Sequence, residues 1–392
     1  MINSLRIFYF VLFAVLISCS GGGNLSAKKF TWKGKREKKS LITITEFEKK
    51  AIIRLDSLFA VNVSEHEFNG TVLIAKRGRI IYKRLFGFQT KKPAKFLTDS
   101  SAFQLASTSK TFTSTGILML YEQGKLSLDD SLQKYFPELP YKNITLKLLL
   151  CHRSGLPNYM YCLGDSCEES NSPLSNQEVI DFLIKNQPPK DNFPNKKFEY
   201  CNTNYMLLGT IIEKVSGMSY ANFMQKNIFS PLGMKHTRVV SKAKDSLTAN
   251  DTYGYEGKKW EFVEDNFLDG TVGDKGIYST AYDLFLFERA ITLGKLLKQE
   301  TLDLAYKGYS NEKKGDRNYG LGWRTYDPKK GEKYIYHNGW WHGYTTAFMR
   351  RPSDQAVVIV LSNRFVKGSF YVYQIFNIID GKPANGFTED EE

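Results

Sequence analysis

Several chemistries are excluded by what this 392-residue sequence lacks. It contains no Gly-x-Ser-x-Gly run, the turn that exposes the nucleophile of an α/β-hydrolase. Histidine is scarce, and His66, His236 and His342 have no cysteine or carboxylate at ligand spacing, so neither a metal nor another cofactor is expected. The one long apolar run, Ile7 to Ile17, is too short to cross a bilayer. From about Thr45 to Asp380, internal repeats and low-complexity stretches are absent. The formal net charge of +13 comes without a recognisable nucleic-acid-binding motif, so no nucleic-acid partner is expected.

Much of that charge is local. Lys28 to Lys39 holds seven basic residues against Glu37, a net +6 of the +13. Ahead of it, Arg6, the apolar run and Ser18 read as a signal peptide over residues 1–18. Leu16-Ile17-Ser18-Cys19 resembles the lipobox of bacterial lipoproteins, which implies that Cys19 is lipidated and becomes the first residue; plain secretion is the other reading. On the first reading residues 19–44 are a flexible basic linker, and the protein is anchored in a bacterial cell envelope, facing the periplasm or the exterior. The basic segment then adds a second, electrostatic hold on anionic headgroups, or serves only as a solvated spacer. Residues 381–392 form an acidic tail.

Residues 45–380 have the composition of one catalytic domain. Phe47 to Phe59 has helical periodicity, and two strands follow, Thr71 to Ala75 and Arg79 to Phe88, joined through Arg77-Gly78. Helices dominate to about residue 300. Strand character returns in Tyr319 to Tyr326, Lys333 to His337, Tyr344 to Arg350 and Gln355 to Leu361, before a helical Tyr371 to Ile379. That order predicts an α/β (α+β) fold: an antiparallel sheet completed by both chain ends, flanked by helices, with a helical lobe inserted.

The chemistry is expected at Ser107. Lys110 lies three residues on, one helical turn away, where its amine can reach Ser107 Oγ and act as a base once burial favours the neutral form. Phe112, Gly116, Met119 and Leu120 recur at helical spacing with one buried face, so Ser107 is expected to open a helix whose free N–H groups suit a developing oxyanion. Ser-x-x-Lys alone also fits Ser26/Lys29, Ser131/Lys134, Ser241/Lys244 and Ser310/Lys313, and a capping serine with a solvent-facing lysine is the alternative. The apolar lead-in Phe103, Leu105, Ala106 and the long helix that follows set Ser107 apart.

An ordered set of stretches then becomes specific: Leu105 to Thr111, Gly124 to Asp130, Leu149 to Pro157, Tyr200-Cys201-Asn202-Thr203-Asn204-Tyr205, Gly276 to Thr280 and His337-Asn338-Gly339. Their order resembles the serine beta-lactamase-related proteins, the group of class C beta-lactamases, D-alanyl-D-alanine carboxypeptidases, family VIII esterases and D-amino peptidases. The resemblance implies a beta-lactamase/transpeptidase-like fold and a serine hydrolase working through a Ser107 acyl-enzyme on an ester, amide or D-amino acid peptide. A true beta-lactamase or carboxypeptidase is the alternative, and a non-catalytic envelope-binding lipoprotein is the alternative of another class.

The same resemblance implies that Tyr200 shares proton removal with Lys110, and that Ser107 and Trp340 supply the oxyanion donors. Asn202 either caps the helix that continues through Gly209 or offers its amide to Lys110 or substrate. His337, Gly339 and Trp340 are expected to bind substrate. His337 stands where beta-lactamases of the group carry lysine; a histidine with its ordinary pKa near 6.5 is only partly charged, so a substrate carboxylate is held less firmly. Trp340 and Trp341 add an apolar wall. His152 and Asp129 lie in stretches that carry fold. Cys151, Cys162, Cys167 and Cys201 are expected to pair as 162–167 and 151–201, four thiols being the alternative.

Overall fold

Strand Ala356–Ser362 is an unbroken apolar run, AVVIVLS, and such a run is stable only with both faces covered. In the computed structural model, which describes residues 45–65, 68–164, 172–241, 246–312, 314–365 and 372–384, it is buried throughout, in the middle of a seven-stranded sheet. The strands of this sheet are β1 (Gly70–Lys76), β2 (Arg79–Phe86), β3 (Arg317–Tyr319), β4 (Arg324–Tyr326), β5 (Tyr334–Trp341), β6 (Tyr344–Arg351) and β7 (Ala356–Ser362). Their order is β3-β4-β5-β6-β7-β1-β2, with every neighbour antiparallel. Strands from early and late in the described residues complete one sheet, and the segment between Phe86 and Arg317 is the inserted lobe.

Alternation of side chains divides the core in two. Val72, Ile74, Val358 and Val360 face the terminal helices Glu46–Glu65 and Val372–Ile379, through Leu55, Phe59, Ile375 and Phe376. Leu73, Ala75, Ile359 and Leu361 face the opposite way, into a core shared with Phe112, Phe287 and Phe348. Full burial of each large aliphatic side chain stabilises by about 1.5–3 kcal/mol, so a one-residue slip of β7, which would exchange the two faces, is heavily disfavoured.

The reading of one strand across Tyr319 to Tyr326 is corrected. Gly320 and Gly322 interrupt it, and Gly322, at φ +86°, lies where a Cβ would come within 2.3 Å of Ser114. The Ser109–Glu122 helix is also more enclosed than its spacing suggests: it is buried on nearly every side, not on one face. Its hydroxyls make this tolerable by taking carbonyl partners: Thr111 bonds Thr108, Thr113 bonds Gly273, Ser114 bonds Leu321 and Thr115 bonds Thr111. Cys19, the basic linker, Cys167 and the acidic end lie outside the described residues. Among the described residues no helix is long and apolar enough to cross a membrane.

Candidate active site

Between Ser101 and Leu118 every residue is buried except Ser107. A short 3₁₀ turn, Ala106–Thr108, links Phe103–Gln104 to the helix at Ser109, so Ser107 lies just ahead of the helix rather than at its first position. Ala106 has φ +49°, a left-handed conformation that strains an L-residue by about 1–3 kcal/mol and turns the chain sharply where the serine must project.

Lys110 is fully buried and reaches back across one turn, its Nζ 3.1 Å from Ser107 Oγ. It also bonds Asn202 Oδ1 at 2.7 Å and the backbone carbonyl of Asp274 at 2.9 Å. A neutral amine keeps two N–H groups and one lone pair. With Asn202 and Asp274 accepting the two N–H groups, the lone pair is left facing Ser107. Asn202 is thus not a cap. It is the first residue of the Asn202–Ser216 helix, Cys201 occupies the cap position without a side-chain bond, and the Asn202 amide is turned to Lys110.

Tyr200 faces Lys110 through its ring, whose centre is 5.1 Å from Nζ. Beneath it His152 packs at 4.3 Å between ring centres, and the Arg324 guanidinium lies 5.5 Å from the Tyr200 ring centre. His152 is structural, but at the floor of the site. It is wholly buried, and its Nδ1 accepts from the Cys201 N–H at 3.1 Å. Burial first, then the charges of Lys110 and Arg324, push its pKa well below the ordinary value, so the ring is neutral.

His337 requires a correction. Its side chain is wholly buried, with Nε2 3.0 Å from the Tyr319 hydroxyl and Nδ1 2.7 Å from the Asn338 carbonyl. Burial, helped by Arg324 and Lys110, holds its pKa well below 6.5. It is therefore a neutral part of the wall, not a partly charged group offered to substrate. A strand's side chains alternate between faces, and this one turns inward.

Gly339 has a steric role. A Cβ there would meet Leu105 O at 2.3 Å and Thr346 Oγ1 at 2.5 Å, so only glycine lets β5 lie against the turn that carries Ser107. His342 and Gly343 form a two-residue turn with φ of +41° and +79°, across which Trp341 faces Tyr344. Antiparallel pairing then alternates, and the Trp340 peptide edge is turned away from β6. β4 pairs only with Tyr334–Tyr336, which leaves that edge open beside the Ala106–Thr108 turn. The Trp340 side chain is 59% exposed, its ring 5.7 Å from that of Phe365.

The 151–201 disulfide is absent. Cys201 Sγ is 3.4 Å from Leu156 O and Cys151 Sγ is 4.0 Å from Leu148 O, each buried as a thiol, and burial pushes both pKa values up to about 12. The 162–167 pair lies outside the described residues through Cys167. Asp129 is exposed and paired with Lys147 at 3.0 Å. His342, which lacks a carboxylate nearby in sequence, meets Asp269 at 3.1 Å, and Asp265 is the third member of that cluster. The main element missed by sequence is Asp274, which contributes a backbone carbonyl and so leaves no side-chain signature.

Among the described residues two cavities, of about 470 and 380 Å³, are lined by neither Ser107, Lys110 nor Tyr200. The larger one lies around Arg350 and Tyr306, away from the chemistry. The side-chain constellation, not cavity size, marks the site.

A serine bonded to a buried lysine on this fold is an arrangement of serine-hydrolase type, and the chain belongs to the Beta-lactamase family, whose model matches residues 55–380. Among its relatives is Penicillin-binding protein 4* of Bacillus subtilis (strain 168), 35% identical over 323 residues, spanning 79% of this chain and 71% of that protein. Among solved structures, the octameric penicillin-binding protein homologue from Pyrococcus abyssi superposes with a TM-score of 0.73 at 28% identity, covering 84% of this chain and 78% of that one. D-amino acid amidase from Ochrobactrum anthropi SV3 shares the fold, with a TM-score of 0.68 at 24% identity, covering 86% and 98%.

Proposed function

We propose that the protein hydrolyses an ester or amide, with D-amino acid peptides or small esters as substrate class, through an acyl-enzyme on Ser107. The observation that carries this is the hydrogen-bond set of Lys110: two fixed acceptors, Asn202 and Asp274, and Ser107 at 3.1 Å. Lys110 takes the Ser107 proton as Oγ bonds the substrate carbonyl carbon. The oxyanion so formed is held by the amides of Ser107 and Trp340, each such donor contributing about 3 kcal/mol to lowering the barrier. Collapse expels the alcohol or amine, which takes up the proton, with Tyr200 sharing its delivery. Water then attacks the acyl-serine by the reverse path and frees the acid. Asn202 orients the base, Gly339 sets the distance between strand and serine, and Trp340 offers its exposed ring to the acyl group.

A related penicillin-binding protein and a D-amino acid amidase of the same fold support amide substrates. Buried and neutral, His337 offers a substrate carboxylate no charge. Cys19 is proposed as a lipid anchor on the basis of the lipobox. The reading is tested with a panel of p-nitrophenyl acetate, a D-alanyl peptide, a D-amino acid amide and nitrocefin. Ser107→Ala should abolish turnover. Lys110→Ala and Tyr200→Phe should each slow acylation by about 10²–10⁴, far from additively. Undiminished turnover in Ser107→Ala contradicts it.

A further inference from the structure

Beyond the reacting groups, one buried network joins the two halves of the site. Asp269, 4% exposed, closes the short turn Phe267–Gly270, where its Oδ2 accepts from the Asn266 N–H at 2.7 Å. Its Oδ1 accepts from the Trp341 indole N–H at 2.7 Å, and His342 Nδ1 lies 3.1 Å from Oδ2. Burial alone would raise the pKa of Asp269, but the close contact of His342 and the bonds from Trp341 and Asn266 outweigh it and hold the carboxyl below its usual range. Trp341 ends β5 and His342 begins the turn after it, so this one carboxylate grips the tip of the β5–β6 hairpin.

The same loop runs on to the base. Asp274 gives Lys110 its carbonyl, and Gly273 O accepts from Thr113 of the central helix at 2.6 Å. Next to it the buried Lys275 bonds Thr271 Oγ1 at 2.6 Å and the Tyr159 hydroxyl at 2.5 Å, with Asp274 Oδ2 at 3.3 Å. Lys275 Nζ also lies 5.0 Å from the centre of the Trp341 ring. Trp341 therefore touches the loop twice, at Asp269 and at Lys275. Such contacts are needed here. Beyond Tyr336 β5 is an edge strand paired only with β6, and at the hairpin tip, Trp341 to Tyr344, β6 in turn lacks its β7 neighbour, so side-chain contacts are what fix the tip.

We propose that Trp341 is a positioning residue for acyl transfer: its bond to Asp269 and its contact with Lys275 hold the Trp340 amide and the Asp274 carbonyl in one frame. The oxyanion donor on the sheet and the base on the helix then keep their separation as the oxyanion forms. This rests on the Ser107 reading, and it assigns the duty to a side chain whose contacts are with Asp269, Lys275 and His342.

The test uses the full protein, with Trp341→Phe removing the indole N–H while keeping a ring, and Asp269→Leu, which has similar bulk but no acceptor oxygen, as a second variant. Inactivation by an alkyl fluorophosphonate is followed to give kinact and KI, with the folded fraction fixed by active-site titration. Misplacement by about 1 Å costs on the order of 10²-fold, so kinact should fall about 10- to 100-fold in each variant with KI unchanged. Because both variants remove the Trp341–Asp269 bond, the double variant should be little slower than the slower of the two single ones. A merely structural role would lower the titratable fraction and leave kinact per site at the parent value, and that result overturns the proposal. So does a double variant whose losses multiply. A parent protein that takes up no fluorophosphonate overturns the Ser107 reading and this proposal together, whereas parental kinact in Trp341→Phe overturns only the positioning.

Discussion

Gly339→Ala is the smallest change that should separate strand from serine. The added methyl would come to 2.3 Å from Leu105 O, 2.5 Å from Thr346 Oγ1 and 3.1 Å from Ala106 Cβ, against an ordinary contact beginning near 3.4 Å. The shortfall to the carbonyl, 3.4 − 2.3, is 1.1 Å, and the blocking atom is backbone, so β5 itself must retreat by roughly that amount. Overpacking of this kind costs about 1–3 kcal/mol of stability. A retreat near 1 Å moves the Trp340 amide out of reach of the oxyanion and should cost on the order of 10²-fold in acylation. Stability is read by thermal unfolding and acylation by stopped-flow burst with p-nitrophenyl acetate. Parental burst rate in a destabilised Gly339→Ala protein would refute the assignment of β5 as the oxyanion strand.

Other outcomes follow from the burial of specific groups. His152 and His337 are held neutral, their folded pKa values lying below the unfolded one near 6.5; the unfolded chain then binds more protons as pH falls. Their contribution is complete above about pH 6.5 and lost below it, at up to about 1.4 kcal/mol per pH unit for each histidine. Urea unfolding at pH 7.5 and 5.5 should show the loss, and His337→Gln should reduce it; a flat profile contradicts the neutral assignment. His337→Lys should destabilise by about 3–5 kcal/mol, by burying a charge without a carboxylate, and leave carboxylate recognition unimproved. Cys151 and Cys201 should resist alkylation in the native protein and both react after unfolding without reductant; a 151–201 peptide in a non-reducing map contradicts this. Cys19→Ala should release the protein from membranes in detergent-free extracts, and unchanged fractionation would rule out the lipid anchor.

The antiparallel sheet and its inserted lobe were legible because apolar runs such as Ala356–Ser362 and Thr71–Ala75 leave few alternatives. The closeness of Ser107 and Lys110 was legible because a helical turn fixes their separation from sequence alone. His337 was misjudged for a complementary reason: the motif gives its position along β5, but which face turns inward depends on Tyr319, which comes from another strand of the sheet. The second anchor of Lys110 is a backbone carbonyl, and no residue type announces one. The clamp of Asp269 on Trp341 and His342 joins segments about 70 residues apart, outside the reach of any local spacing rule. The two thiols were misassigned because proximity to the cleft says nothing about where each Sγ points, and here they point to different carbonyls.

The central claim is that Ser107 carries the acyl group. Intact-protein mass spectrometry after brief exposure to a fluorophosphonate and, separately, to a penicillin, followed by peptide mapping, tests it most directly. The account predicts one adduct with the fluorophosphonate, mapped to Ser107 and absent from Ser107→Ala, with the penicillin result reporting how far a beta-lactam is accepted. A stoichiometric adduct on another residue, or one that persists in Ser107→Ala, would contradict it.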